Sequence, residues 1–254
     1  MSSLRGIKYW LSDEDLKLIY TSEYWNDIAE EKKKEWWIED GNYNNCLRYL
    51  NSSGLLTEFK ESKKFIQKFP EQVMVADLAS GIGWTSALLS KLPNVSEVHA
   101  VEISKHRLGI LFENAIKMLN GNVQKIHRYL GSFYNLKFED NSIDIIYMSQ
   151  AFHHADRPFN LILECDRVLS KNGRIILVGE HYMGFRQMIK KATVNLIRRK
   201  IKGWSFYEIF PPDDKLGDHY YRISDYYFIF NSMGYKLKHY RCKKGKVIYI
   251  ADKS

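Results

Sequence analysis

Residues 73–89 read Val-Met-Val-Ala-Asp-Leu, then Ala-Ser-Gly-Ile-Gly, then Trp-Thr-Ser-Ala-Leu-Leu. No other stretch restricts the fold as strongly. An apolar run that ends in two near-adjacent glycines and passes directly into helix-forming residues is a strand–turn–helix unit. Gly81 and Gly83 let the backbone bend and approach a ligand closely, and the helix that follows turns its unpaired N–H groups toward it. A helix leaving a strand in this way crosses back to a parallel neighbour, so the unit implies a sheet covered by helices.

The downstream pattern extends this reading. Apolar runs at Glu97–Val101, Gln124–Tyr129, Ile143–Met148 and Arg174–Val178 alternate with helical stretches at Lys105–Leu119 and Phe159–Leu169. This is the signature of βαβ units. Asn172-Gly173 marks a turn before the fifth run. Residues 12–66 read as mainly helical and charged, with Ser12-Asp13-Glu14-Asp15 as a capped start and with Tyr20, Tyr24, Trp25, Trp36, Trp37 and Tyr43 clustered along them. After Glu180 a basic stretch leads to a helix at Ser224–Met233. Two β-rich runs follow, Tyr235–Cys242 and Lys246–Ala251, joined by Lys243-Lys244-Gly245 as an antiparallel hairpin. The expected fold is one α/β domain: a Rossmann-like, seven-stranded, mostly parallel sheet with a C-terminal antiparallel hairpin. Its parts are a helical N-terminal arm (1–70), a cofactor-binding core (71–181), a helical insertion or substrate lid after strand five (182–234) and the hairpin (235–254).

The chain has 254 residues, 45% of them hydrophobic, enough for one substantial core, and a formal charge of +8. A basic balance suits an acidic or phosphorylated small molecule, nucleic acid or a membrane surface, or merely a solvated lysine-rich exterior. The three cysteines, Cys46, Cys165 and Cys242, form no CxxC pair, which argues against a zinc site and a disulfide framework. With neither a signal-peptide pattern nor a run long enough to span a bilayer, a cytoplasmic protein is expected.

The glycine turn alone fits several nucleotides. A dinucleotide fingerprint puts a third glycine three positions after the second; here that slot is Ser86. Read instead as D-x-G-x-G-x-G, the series Asp77, Ala79, Gly81 and Gly83 resembles motif I of the class I S-adenosylmethionine-dependent methyltransferases. Gly131-Ser132-Phe133-Tyr134 resembles the family's third-strand end, and Asp140–Tyr147 its D-x-S-F-D-x-V entry to strand four. Ala151-Phe152-His153-His154 is similar to the histidine-bearing turn behind that strand, and Arg167–Arg174 to the R-x-L-K-P-G-G segment before strand five. Ala79, Ser132 and Asn172 depart from the pattern. Ala79 is tolerable where its φ is negative.

The resemblance implies S-adenosyl-L-methionine as cofactor and S-adenosyl-L-homocysteine as product. It implies a cofactor site of Asp77, Ala79, Ser80, Gly81, Gly83, Trp84, Glu102, Ile103, Ser132, Phe133 and Ser149. In it Asp77 orders the loop, Glu102 accepts from ribose hydroxyls, Ser132 and Phe133 bracket the adenine, and Trp84 either walls the methionine side or only packs. Methyl transfer to a neutral hydroxyl also needs a base. The candidates are His154, then His181, His153 and His219, on segments that converge on the carboxyl ends of strands four and five; the alternative for each is a cap or a backbone bond. No metal is expected, although His153, Asp156, Glu180 and His181 gather ligand types there. The basic helix 185–204 is a packed helix with a solvated face, a lid for an acidic substrate, or a surface meeting nucleic acid, membrane or another subunit. The expected activity is O-methylation of a small polar molecule such as a sugar or nucleotide-linked sugar. RNA methylation and a non-catalytic cofactor-binding partner subunit are the alternatives. Nucleic acid is not the expected partner, and a homo-oligomer is compatible with the sequence.

Overall fold

The structure is a computed structural model that describes residues 4–12, 14–15, 17, 28–180, 185–197, 219, 221–242 and 246–253. Its centre is an eight-stranded sheet in the order β1-β4-β3-β2-β5-β6-β8-β7. The strands are β1 (Ile7–Tyr9), β2 (Val73–Leu78), β3 (Val95–Glu102), β4 (Ile126–Leu130), β5 (Ile143–Ser149), β6 (Leu169–Glu180), β7 (Tyr235–Arg241) and β8 (Val247–Lys253). All neighbours from β1 to β6 are parallel. β8 lies antiparallel between β6 and β7, as the expected C-terminal hairpin requires.

Burial explains the composition of the strands. β2 and β5 are buried along almost their whole length, because helices cover both faces of a parallel sheet. Edge strand β7 alternates instead: Tyr235 and Leu237 point inward, Lys236 and Lys238 outward. Two helices matter for the site. One is α1 (Tyr43–Ser52) and the other α2 (Leu55–Gln67), whose Leu55, Phe59, Ser62 and Ile66 repeat at helical spacing and are buried.

Three expectations need correction. The sheet has eight strands, not seven, because the arm opens with a strand, Ile7–Tyr9, paired with Arg128–Leu130. The Trp10 ring seals this edge: a Cβ on Gly131 would lie 2.6 Å from it. Asn172-Gly173 is not a turn between elements. Ile143 and Ile145 pair with Leu169 and Arg174, so residues 170–173 stand opposite Asp144 alone, an irregularity inside β6. The helix Lys105–Leu119 is a π-helical turn at Arg107–Leu111 that runs into an α-helix, Phe112–Leu119. The reciprocal bonds between Ser12 and Asp15 bear out the capped start. Tyr20, Tyr24, Trp25, most of the insertion after Ile197 and the hairpin link Lys243–Gly245 lie outside the described residues.

Candidate active site

Strand order reverses between β2 and β5: from β2 the chain builds outward through β3 and β4, then returns to start β5 on the other side. Ligands in such sheets bind beyond the carboxyl ends of the strands at this switch point. A cavity of about 520 Å³ lies there. Its floor comes from Ala79–Ile82 after β2 and from Ser149, Gln150, His153 and His154 after β5. The N-terminal arm supplies one wall, through Glu31, Trp36 and Tyr49 among others.

The glycine turn is held from both ends. Behind it, the fully buried Asp77 accepts hydrogen bonds from Thr85 Oγ1 (2.6 Å) and Ser86 Oγ (2.5 Å), tying the strand end to the first turn of helix Trp84–Leu89. Burial pushes the Asp77 carboxyl up to about 6, with Glu102 adding to the rise and the two hydroxyls opposing it. In front, Glu102 accepts from the N–H of Gly81 (2.7 Å), Ile103 (2.9 Å) and Ser104 (2.8 Å). Gly81 (φ +56°) has nothing within 4 Å of where a Cβ would stand. Gly83 (φ +81°) is closed, since a Cβ there would strike the Phe112 ring at 2.3 Å.

The conditional expectation for Ala79 fails: its φ is +52°. Gln150, across the cavity, has φ +53°. These two are left-handed residues that are neither glycine nor asparagine, and both line the cavity. Backbone strain of this kind concentrates at ligand sites.

Next to the glycine turn stands a buried histidine–carboxylate pair. His153 Nδ1 lies 2.8 Å from Glu180 Oε2. The other Glu180 oxygen accepts from the N–H of Ala151 and Phe152 (3.0 Å each), and Tyr226 Oη donates to Oε2 at 3.1 Å. Burial alone would raise the Glu180 carboxyl. The His153 charge, its hydrogen bond and the two amides outweigh that and hold it below the ordinary carboxylate range. The pair fixes the ring so that, in the neutral imidazole, Nδ1 carries the proton and Nε2 is the basic nitrogen.

The arm is fastened over the opposite wall. Glu31 is buried and accepts from His106 Nε2 and from the Arg107 guanidinium, whose Nε is 2.9 Å away. Arg107 also lies 5.3 Å over the Trp36 ring.

Of the expected cofactor residues, Ala79, Ser80, Gly81, Trp84 and Ser149 line the cavity. Asp77, Gly83 and Glu102 shape the turn without lining the cavity. Ile103 follows Glu102, while Ser132 and Phe133 follow β4 outside the cavity lining. Trp84 is buried in the core, edge-on to Phe59 at 6.3 Å, as well as reaching the cavity. Among the candidate bases, His153 and His154 line the cavity, their rings 4.1 Å apart. His219 does not; its N–H donates to the His153 carbonyl at 2.8 Å. His181 lies outside the described residues. Asp156 accepts from Tyr134 Oη. Among the described residues no group of three His, Cys, Asp or Glu side chains is arranged to hold a metal.

Sequence reasoning missed Ser86, Gln150, Glu31 and Arg107 and gave Glu180 no proton-handling part. Ser86 was legible in principle: a hydroxyl one turn into a helix after a strand-terminal Asp is placed to bond to it.

Residues 76–177 match a family model described as a methyltransferase domain. Over 175 residues the chain is 23% identical to the sarcosine/dimethylglycine N-methyltransferase of Aphanothece halophytica, covering 62% of this chain and 61% of that protein. Over 108 residues it is 32% identical to the Bacillus subtilis methyltransferase YcgJ, covering 42% and 40% of the two chains. It thus spans less than two thirds of the length of these relatives. Its fold matches that of a SAM-dependent methyltransferase from Aquifex aeolicus with a TM-score of 0.56 and 16% identity, over 79% of this chain and 93% of that one.

Proposed function

We propose that the chain, whose residues 76–177 match a methyltransferase-domain model, is a class I S-adenosylmethionine-dependent methyltransferase that transfers a methyl group to an oxygen of a small polar acceptor, such as a sugar or nucleotide-linked sugar. The observation that carries this reading is that the glycine turn and the His153–Glu180 pair open onto one cavity.

The residues present suit the cofactor. Ser80 Oγ and Ser149 Oγ are buried cavity-lining atoms with no hydrogen-bond partner among the described residues, and Asp77 Oδ1 behind them is likewise unpartnered. Gly81 leaves space where any other residue would project a side chain. These groups suit a nucleoside with a polar amino-acid tail and without a pyrophosphate. When bound, S-adenosylmethionine supplies a methyl group already activated on a sulfonium. The protein's remaining tasks are to align the acceptor and accept its proton, and alignment alone is worth up to about 7–11 kcal/mol. His153, steadied at Nδ1 by Glu180, takes the hydroxyl proton at Nε2. His154 beside it, with Lys33, Lys34 and Glu35 on the arm, gives the acceptor a polar and charged surround.

The test is incubation of the full chain with methyl-labelled cofactor and separate panels of sugars and sugar nucleotides, small amines, and RNA. Label on a hydroxyl of a sugar-class acceptor is the expected result. Label on amines or RNA would replace the oxygen reading, and firm cofactor binding with no transfer to any panel would favour a non-catalytic partner subunit.

A further inference from the structure

The geometry points to Tyr226 as a positioning residue that acts through Glu180 on His153 and sets the pH at which Nε2 is free to take a proton. Tyr226 sits on helix Ile223–Ser232, where it shares the buried face with Ile229 and Phe230 at helical spacing. The start of that helix is fixed one turn earlier, where the Arg222 N–H donates to Asp225 Oδ2 at 2.7 Å. The Tyr226 ring is fully buried, with its centroid 5.6 Å from that of Phe152 and stacked 4.2 Å from that of Tyr249. A phenylalanine would pack there as well. What tyrosine adds is a hydroxyl, and it donates to a carboxylate that solvent does not reach.

A carboxylate offers about four acceptor positions, shared between its two oxygens. On Glu180 they are filled evenly. Oε1 takes the N–H of Ala151 and Phe152, while Oε2 is shared by His153 Nδ1 at 2.8 Å and Tyr226 Oη at 3.1 Å. The two amides belong to the turn that carries His153, so they place the carboxylate. The phenol instead draws on the negative charge that faces the imidazole. A weaker charge there stabilises the imidazolium less, which lowers the pH at which Nε2 sheds its proton and becomes a base. It also makes Glu180 a poorer proton acceptor, so the Nδ1 proton stays on the ring when Nε2 takes a second one. The phenol itself remains a donor throughout: burial first, then the Glu180 charge, holds it well above the ordinary tyrosine range. The other ionisable groups that face the pair or its phenol are His154, Glu58, Tyr221, Tyr249 and His219, with Lys246 acting on Glu58. Removing only the Tyr226 hydroxyl leaves all six in the chain, so the difference reports this one bond.

The role rests on the reading of His153 as the base, so the experiment follows the imidazole directly as well as turnover. The full chain, carrying isotope-labelled histidine, is titrated by NMR, with the His153 signal assigned by its loss in His153→Gln. Tyr226→Phe should raise the His153 midpoint by about one pH unit. The acid limb of kcat should move up with it, while cofactor affinity and acceptor KM stay at wild-type values. A ring-fluorinated tyrosine placed at position 226, a stronger donor of nearly the same size, should move the midpoint the other way without loss of packing. A His153 midpoint unmoved in both proteins overturns the proposal, as does a shift to lower pH in Tyr226→Phe. A raised midpoint with no methyl transfer, or with an unshifted rate profile, supports the link among the three residues and removes His153 as the base.

Discussion

Glu180 Oε2 lies 2.8 Å from His153 Nδ1 at the end of β6, with no exposure of the carboxylate to solvent. A buried carboxylate behind an imidazole fixes its tautomer and steadies its protonated form. His153→Ala should therefore cut turnover by about 10²–10⁴-fold while cofactor affinity stays within a few-fold of wild type. His154→Ala, which leaves the His153–Glu180 pair in place, should cost less. Single-turnover methyl transfer beside calorimetric cofactor titration measures both, and equal losses from the two variants would remove the distinction.

Glu102 gathers three backbone N–H groups, among them that of Gly81. Glu102→Ala leaves all three without their acceptor, at about 1–3 kcal/mol for each one that stays buried and unmade. The glycine turn should loosen. Cofactor affinity should fall at least tenfold and the melting temperature should drop, both readable by differential scanning fluorimetry with and without cofactor. Wild-type affinity in this variant would show that the turn holds its shape without the carboxylate.

Ala79 has φ +52°, where an L-residue with a Cβ is strained by about 1–2 kcal/mol. Ala79→Gly removes the strain and gives back part of the gain through the extra freedom of glycine in the unfolded chain. The net expectation is a gain of about 1 kcal/mol, or a melting temperature higher by about 2–4 °C. Ala79→Val, β-branched, should lower it.

Glu58, on helix Leu55–Gln67, is fully buried. Burial pushes its carboxyl from the usual 4.5 up to about 7, with the Glu180 charge adding and Lys246 opposing. A carboxyl that holds its proton more tightly folded than unfolded makes stability fall as pH rises through the window from 4.5 to 7, and level off above it. Glu58→Gln should erase that slope. The variant should be more stable than wild type at pH about 8, by at most about 3 kcal/mol, and scarcely different near pH 4. Thermal melts across this range are the check.

What the sequence made legible was local. Asp77 to Trp84 encode a strand end, a turn and a helix start within a few positions, and His153-His154 follow a recognisable strand. What it concealed depends on pairs distant in the chain. Glu31 meets Arg107 across 76 positions, and Glu180 meets His153 across 27. No periodicity encodes such contacts. The three residues of β1 are too few to show alternation, and Pro158–Val168 passes into β6 without a break, so Asn172-Gly173 looked like the boundary. Nor does a letter state the sign of φ: Ala79 reads as an ordinary alanine until the backbone is seen.

The reversal of strand order between β2 and β5 has a thermodynamic consequence. One flank of the cavity belongs to the half of the sheet that runs to β1, the other to the half that runs to β7, and a guest molecule bridging them recognises only the state in which both are docked. Occupancy therefore acts as a reversible staple, adding resistance to unfolding that grows with the logarithm of ligand concentration. Either half expressed by itself would offer only one jaw of the clamp.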